Sequence, residues 1–200
     1  MISSILLAAG ESLKMGGENK LTKEINGMAL INHAVKNILG SAVDELIIVL
    51  GYEKLEIENI IEKNKKIKFI YNENYKTGIS SSIKEGLKHI SKKSDAFFIC
   101  LGNMPNVNQN IYNKIIKVRY NYNKKLIPKK KKEIIIPIYE EKEGNPILFS
   151  KFMKEKIFSK IDNFEIEKII ETNKNKILYV PIQNTGITLD FNTQKDFIPS

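Results

Sequence analysis

Met1-Ile-Ser-Ser-Ile-Leu-Leu-Ala-Ala-Gly10-Glu-Ser-Leu-Lys-Met-Gly-Gly-Glu-Asn-Lys20 opens the chain and decides how the rest is read. Ile2 to Leu7 reads as a short buried strand. Ala, Gly and Ser follow at once, small residues that let another molecule approach the backbone, and glycine takes positive φ without steric cost. Such a loop can aim several N–H groups at an anion. It is neither a Walker A loop, since no Gly-Lys-Ser/Thr closes it, nor a G-x-G-x-x-G dinucleotide turn. Gly10, Ser12, Gly16 and Gly17 supply flexible or donor positions, and Lys14 and Lys20 bracket them with two positive charges. The combination suits a triphosphate. Read without function, it is a glycine-rich strand-to-helix turn with two solvated lysines.

Downstream, Lys23 to Gly27 reads as an extended piece turning at Asn26-Gly27. Leu30, Ile31, Ala34, Val35, Ile38 and Leu39 recur at helical spacing, with Gly40 placed for a left-handed cap. Glu45 to Leu50 is a strand whose consecutive apolar residues suit a sheet buried on both faces. A surface helix over Glu53 to Lys63, a strand over Ile67 to Tyr71, a loop from Asn72 to Gly78 and a helix from Ile79 follow. Ser80, Ser81 and Ser82 then lie in that helix's first turn, beside its free N–H groups. Asp95 to Leu101 is a buried strand, and Asn108 caps a helix through about Tyr120. Beyond Glu133 the pattern predicts strands at 134–139 and 146–149, a helix over 165–172, and strands near 177–180 and 186–190. Repeated strand–helix–strand units imply an α/β fold with a mostly parallel sheet and helices on both faces, and ligands bound beyond the carboxyl ends of the strands. The loops at Gly10, Gly78 and Asn103 all follow strands and so gather on one edge.

The chain has 200 residues, which suits a single domain spanning 1–200. No apolar run approaches the roughly 18–20 residues of a membrane span, and no secretory leader precedes the first strand, so a cytoplasmic protein without membrane contact is expected. A net charge of +9 invites a nucleic-acid reading. Against it, Arg119 is the single arginine among 32 Lys and Arg residues, and guanine readout and phosphate clamps rely mostly on Arg. The basic run Lys129 to Lys132 reads as a solvated loop. Cys100, in an apolar run, reads as a buried thiol, and His33 and His89 lack metal-ligand spacing.

Leu7 to Lys20 resembles the signature loop of the molybdenum cofactor cytidylyl- and guanylyltransferases, with Lys14 where that family usually has Arg. Asn74-Tyr-Lys-Thr-Gly-Ile-Ser-Ser-Ser-Ile-Lys-Glu-Gly-Leu87 is similar to the segment that helps those cytidylyltransferases hold the base. The guanylyl branch carries a different segment there, which favours CTP. Leu101-Gly-Asn-Met-Pro105 resembles L-x-D-M-P, whose Asp binds Mg²⁺, and Asn103 stands at that position. Gly144-Asn-Pro-Ile-Leu-Phe149 resembles the acceptor-pocket motif. Leu189-Asp-Phe-Asn-Thr193 with Asp196 resembles D-[IV]-D-T-P-E-D, its first Asp kept as Asp190 and its second replaced by Asn192. A further family element, G-D-x-G-[AS]-R, is not recognisable in residues 163–168.

The resemblance implies a three-layer Rossmann-like nucleotidyltransferase. In it Ala8, Ala9, Gly10, Ser12, Gly16, Lys20, Gly78, Ser80, Ser81 and Ser82 hold CTP. Lys14, Lys20, Asn103 and Asp190 act on the phosphates, Asn103 and Asp190 face Mg²⁺, and Gly144, Asn145 and Pro146 line the acceptor site. Molybdopterin is the implied acceptor, with a molybdenum enzyme as onward partner. The alternatives are a transferase using a sugar phosphate or methylerythritol phosphate, and a silent nucleotide binder motivated by the two Asp-to-Asn positions.

Overall fold

A computed structural model describes residues 1–16, 18–124, 132–162 and 165–198. Gly17, Lys129 to Lys131, Asn163 and Phe164 lie outside the described residues. Strands β1 (Ile2–Ala8), β4 (Glu45–Leu50), β5 (Ile67–Tyr71) and β6 (Ala96–Leu101) form a parallel block of an eight-stranded sheet. β1 sits between β4 and β6, with Ile5 level with Ile47 and Ile99. Strands β7 (Ile134–Tyr139), β9 (Ile147–Ser150) and β10 (Ile177–Pro181) extend it, β9 running antiparallel to both β6 and β7. A short β8 (Lys142–Glu143) pairs with β7, giving the order β10-β7-β9-β6-β1-β4-β5 with β8 alongside.

Alternation along the central strands sends odd and even residues to opposite faces, each an apolar layer. Leu6, Ala8, Ile48, Phe98 and Cys100 pack beneath α1 (Leu30–Leu39), α2 (Lys54–Ile60) and α4 (Gln109–Lys124). Ile5, Leu7, Ile47, Val49, Phe97 and Ile99 meet α3 (Ile79–His89), α5 (Phe152–Lys160) and α6 (Ile166–Glu171). Gly86 lets α3 settle onto β1, since a Cβ there would lie 2.5 Å from Ile5 Cγ2. The sheet and its two helical layers are the fold expected from the sequence. Asn26 (φ 51°) and Gly27 (φ 74°) form the two-residue turn of a hairpin, β2 (Glu24–Ile25) and β3 (Met28–Ala29). Asn108 Oδ1 accepts the N–H of Asn110 at 3.0 Å, the cap anticipated for α4.

Two expectations are corrected. Gly40 ends α1 in right-handed conformation (φ −75°), not in a left-handed cap. The end of the Gln109 side chain comes close to this glycine, 2.4 Å from where a Cβ would lie. Residues 186–190 form no strand. The segment carries a 3₁₀ turn, Thr185–Ile187, and its backbone bonds to separate partners, Asn145 N–H to Ile187 O at 2.8 Å and Phe191 N–H to Asn103 O at 2.9 Å. α5 was not signalled by the sequence, since Met153 and Ile157 alone are buried in a Lys-rich segment.

Candidate functional site

The carboxyl ends of β1 and β6 and the start of α3 enclose a cavity of about 230 Å³. Ala8, Ala9, Gly10, Lys20, Gly78, Ser82 and Asn103 all line it, joined by Tyr75 and Ile79. Residues from three separate loops are thus brought to one place, as the topology of a parallel sheet requires. Ser12, Lys14, Gly16, Ser80, Ser81 and Asp190 stand outside that lining.

Ser12 shapes the loop. It adopts left-handed backbone (φ 54°), its carbonyl accepts the Met15 N–H at 2.8 Å, and its Oγ accepts the Lys20 N–H at 3.1 Å. Buried Met15 anchors the turn, Gly16 (φ 69°) reverses it, and Lys14 remains exposed. Lys20 is half-buried. Burial holds its ammonium below the usual lysine range and Lys14 adds to that, while Asp190 and Asp196 oppose it.

The serine-headed helix is organised by a residue the sequence reading passed over. Buried Asn72 donates from Nδ2 to Ser81 Oγ at 2.9 Å and to Ser82 Oγ at 3.0 Å, and its Oδ1 accepts the Asn74 N–H at 3.0 Å. Ser81 Oγ turns back to the carbonyls of Gly78 and Asn74, at 2.8 and 2.9 Å. Its hydroxyl therefore serves the loop, whereas Ser82 reaches the cavity. Asn72 stands at the strand-to-loop junction, a position where a buried amide commonly ties a turn.

The amide-bearing positions meet. Asn103 Nδ2 donates to Asn192 Oδ1 at 3.0 Å and to Phe191 O at 3.1 Å. Lys20 Nζ donates to the same Asn192 Oδ1 at 2.7 Å, and Asn192 Nδ2 donates to Asp190 Oδ2 at 2.5 Å. Asp196 accepts the N–H groups of Asn192 and Thr193, which hold its carboxyl below the usual carboxylate range. Among the described residues no group of three or more His, Cys, Asp or Glu could hold a metal. The donor set offers a divalent cation two nearby carboxylates, Asp190 and Asp196, the second tied to backbone N–H groups. That fits Mg²⁺ carried on a triphosphate, which is commonly held by one or two carboxylates together with substrate oxygens.

A larger cavity of about 620 Å³ adjoins the first. Gly144 and Asn145 line it, Pro146 does not, and Ile79 and Leu101 belong to both cavities. Its floor is apolar (Ile83, Ile147, Phe149), and Glu165, Glu167, Lys168 and Glu171 contribute from α6 and its approach. The remaining candidates have structural partners. Burial pushes the Cys100 thiol up to about 12. His33 Nε2 lies 2.9 Å from Ile25 O, His89 lies beside Glu85, and Arg119 donates to Asp95 O at 3.0 Å.

Residues 4–176 match the MobA-like NTP transferase domain. The chain belongs to that family and is a nucleotidyltransferase. It is 27% identical to the molybdenum cofactor cytidylyltransferase of Escherichia coli, over 98% of this chain and 94% of that protein. It is 25% identical to a probable molybdenum cofactor guanylyltransferase of Methanosarcina acetivorans, over 88% of this chain and 72% of that one. The fold matches the crystal structure of Rv0371c from Mycobacterium tuberculosis with a TM-score of 0.80 at 18% identity, covering 98% and 95% of the two chains. That protein has also been solved in complex with manganese, where the TM-score is 0.71 at 16% identity over 90% and 88%. Nucleotidyltransferases of this kind usually use a divalent metal. No helix among the described residues is long and apolar enough to cross a membrane.

Proposed function

We propose that this nucleotidyltransferase joins CMP from CTP to a phosphorylated acceptor, molybdopterin, and releases pyrophosphate. The observation that carries the reading is the shared wall. The cavity lined by the glycine loop, Lys20, Ser82 and Asn103 abuts the one lined by Gly144 and Asn145, through Ile79 and Leu101. Donor and acceptor held on either side of one wall have the proximity that transfer requires.

In the step itself, an acceptor phosphate oxygen attacks the α-phosphorus of CTP. A new P–O bond forms as the bond from that phosphorus to the β-bridging oxygen breaks, and pyrophosphate leaves. The backbone of Ala8 to Gly10 would cradle the phosphates, and Lys20, aided by Lys14, would neutralise charge that grows on the departing oxygens. Mg²⁺ bound to the triphosphate, with Asp190 as the protein's carboxylate, would supply further charge neutralisation. Tyr75 presents an aromatic surface beside Gly78 against which a base could stack. The preference for CTP rests on the Gly78 to Ser82 segment, and the acceptor on the relatives' names together with the Gly144 motif.

Incubation with molybdopterin, Mg²⁺ and each of CTP and GTP, read by pyrophosphate release, tests this reading. Release with CTP and molybdopterin is expected. Release with a sugar phosphate or methylerythritol phosphate alone would replace the acceptor, and release with GTP alone would replace the donor. The joined amides of Asn103 and Asn192 favour a second reading, a silent nucleotide binder serving a molybdenum enzyme. Thermal stabilisation by CTP with no pyrophosphate from any acceptor would select it.

A further inference from the structure

A groove of about 410 Å³ lies at the amino-terminal edge of β6 and β7, the end of the sheet opposite the nucleotide cavity. Asp95 and Glu133, each just before one of those strands, edge it together with Lys151, just after β9. α4 lends Arg119, Tyr120 and Lys124, and the start of α5 lends Phe152. Arg119 is half-buried, and burial holds its guanidinium below the usual arginine range. Among the described residues it donates one hydrogen bond, to Asp95 O at 3.0 Å, although its fork carries five N–H donors. Neither carboxylate closes that fork: Asp95 pairs with the Met1 ammonium at 2.9 Å, and Glu133 accepts the Ser150 hydroxyl. Tyr120 and Phe152 stand 60% and 72% exposed. Lys124 Nζ lies 5.7 Å from the Tyr120 ring centroid and Lys151 Nζ 5.5 Å from that of Phe152. Rings so exposed bury little apolar area in this fold, and a half-buried guanidinium with unused donors carries a desolvation cost that a ligand can offset. Arg, Tyr and Phe are the side chains enriched at the centres of protein interfaces. The charges select the partner. Four cations, Arg119, Lys124, Lys132 and Lys151, line the groove and attract anions, but Asp95 and Glu133 stand among them and repel the evenly spaced phosphates of a nucleic acid. A peptide can set separate carboxylates against the cations and an apolar side chain against the rings.

We propose that this groove docks an acidic segment of a partner protein. One carboxylate takes the Arg119 fork, whose planar geometry matches it two bonds at a time, others meet Lys124 and Lys151, and an apolar side chain rests against Tyr120 and Phe152. The nucleotide cavity lies at the other end of the strands, so a docked partner leaves it open. The inference is independent of which donor and acceptor the chain uses.

The probe is a fluorescein-labelled peptide, Glu-Asp-Glu-Phe-Glu-Asp-Glu, beside a twin with Ser in place of Phe, and binding is followed by fluorescence anisotropy at physiological ionic strength, where weak general charge attraction is screened. Wild type is expected to bind the first peptide and to bind the twin more weakly. R119Q, K124Q/K151Q and F152A should each bind the first peptide about tenfold more weakly, the loss typical of a central interface contact. K63Q/K65Q removes two positive charges from an exposed stretch beyond α2 and should bind as wild type does. Should R119Q fail to fold, as judged by circular dichroism, K124Q/K151Q and F152A, altered at exposed side chains, carry the test. Absence of binding to wild type overturns the proposal. An equal loss in K63Q/K65Q reduces the effect to net charge and overturns it as well. Equal affinity for the two peptides overturns the part given to the rings. Tighter binding of a single-stranded oligonucleotide of equal charge, lost in the same variants, would make the groove a nucleic-acid site and overturn the choice of partner.

Discussion

The two ends of the central strands carry polar clusters that work in opposite ways. At the amino-terminal end, buried Glu45 is enclosed: Ser3 Oγ donates to Oε1 at 2.5 Å, the Ser91 N–H to the same oxygen at 2.8 Å, and Lys68 Nζ to Oε2 at 2.9 Å. Burial alone would raise the Glu45 pKa, yet these bonds outweigh it and hold the carboxyl below the usual glutamate range. At the carboxyl-terminal end, Lys20, Asn103, Asp190 and Asn192 also satisfy one another, but all four come from loops, and Asp190 is open to solvent. Partners fixed in strands and helix ends give stability. Partners held on loops can be exchanged for a ligand, so their value is read in binding.

The largest effect expected is Lys20→Ala, which should weaken CTP binding by about 3 kcal/mol, roughly 100-fold, as for loss of a charge-assisted contact. Its melting temperature should change far less than its affinity in isothermal titration calorimetry. Equal CTP affinity in the variant and wild type would dissolve the contrast between the two ends. Next comes Glu45→Ala, expected to cost about 2 kcal/mol in urea unfolding because it strands the Ser91 N–H and leaves Ser3 Oγ with Ser94 Oγ alone, with CTP affinity unchanged. Because the folded-state pKa of Glu45 is depressed, its contribution is present above the ordinary glutamate pKa. It disappears as the pH falls through the lower folded value. Stability of the Glu45→Gln variant should accordingly fall less steeply than wild type in that acidic window, and parallel pH curves would show that Glu45 is not the titrating group.

Asn72→Ala sharpens the comparison, since Asn72 links sheet to site. It should lose about 1 kcal/mol of stability together with a few-fold of CTP affinity, on the order of one hydrogen bond. A loss confined to stability would place Ser82 outside nucleotide contact. The smallest effect is at Cys100, fully buried with its thiol raised to about 12. Ellman's reagent should leave it unmodified in the native protein and react only on unfolding. Rapid reaction under native conditions would mean that the β6 layer opens.

Much of this was legible in the sequence because it is local. Consecutive apolar residues at Leu46 to Val49 announce a strand buried on both faces, Asn26-Gly27 announces its turn, and strand-to-loop junctions announce the edge where ligands gather. What escaped depends on partners far along the chain. Gly40 looked like a left-handed cap and instead ends α1 in right-handed conformation, beside the Gln109 side chain. Residues 186–190 imitated a strand, although Gly186 and Thr188 bond within their own turn and Ile187 O accepts the Asn145 N–H of another loop. Asn103 and Asn192 were each recognisable as an amide where an acid is expected. That the two touch, across 89 positions, is information only the fold contains.

The common wall formed by Ile79 and Leu101 has an evolutionary consequence. With donor and acceptor in the two cavities as proposed, a mutation enlarging either side chain would disturb the Michaelis constants of both substrates together, so a new acceptor preference arising there would carry a penalty in nucleotide use. On the same proposal, change at the far rim, where Glu165, Glu167, Lys168 and Glu171 lie away from the shared wall, would leave donor chemistry untouched.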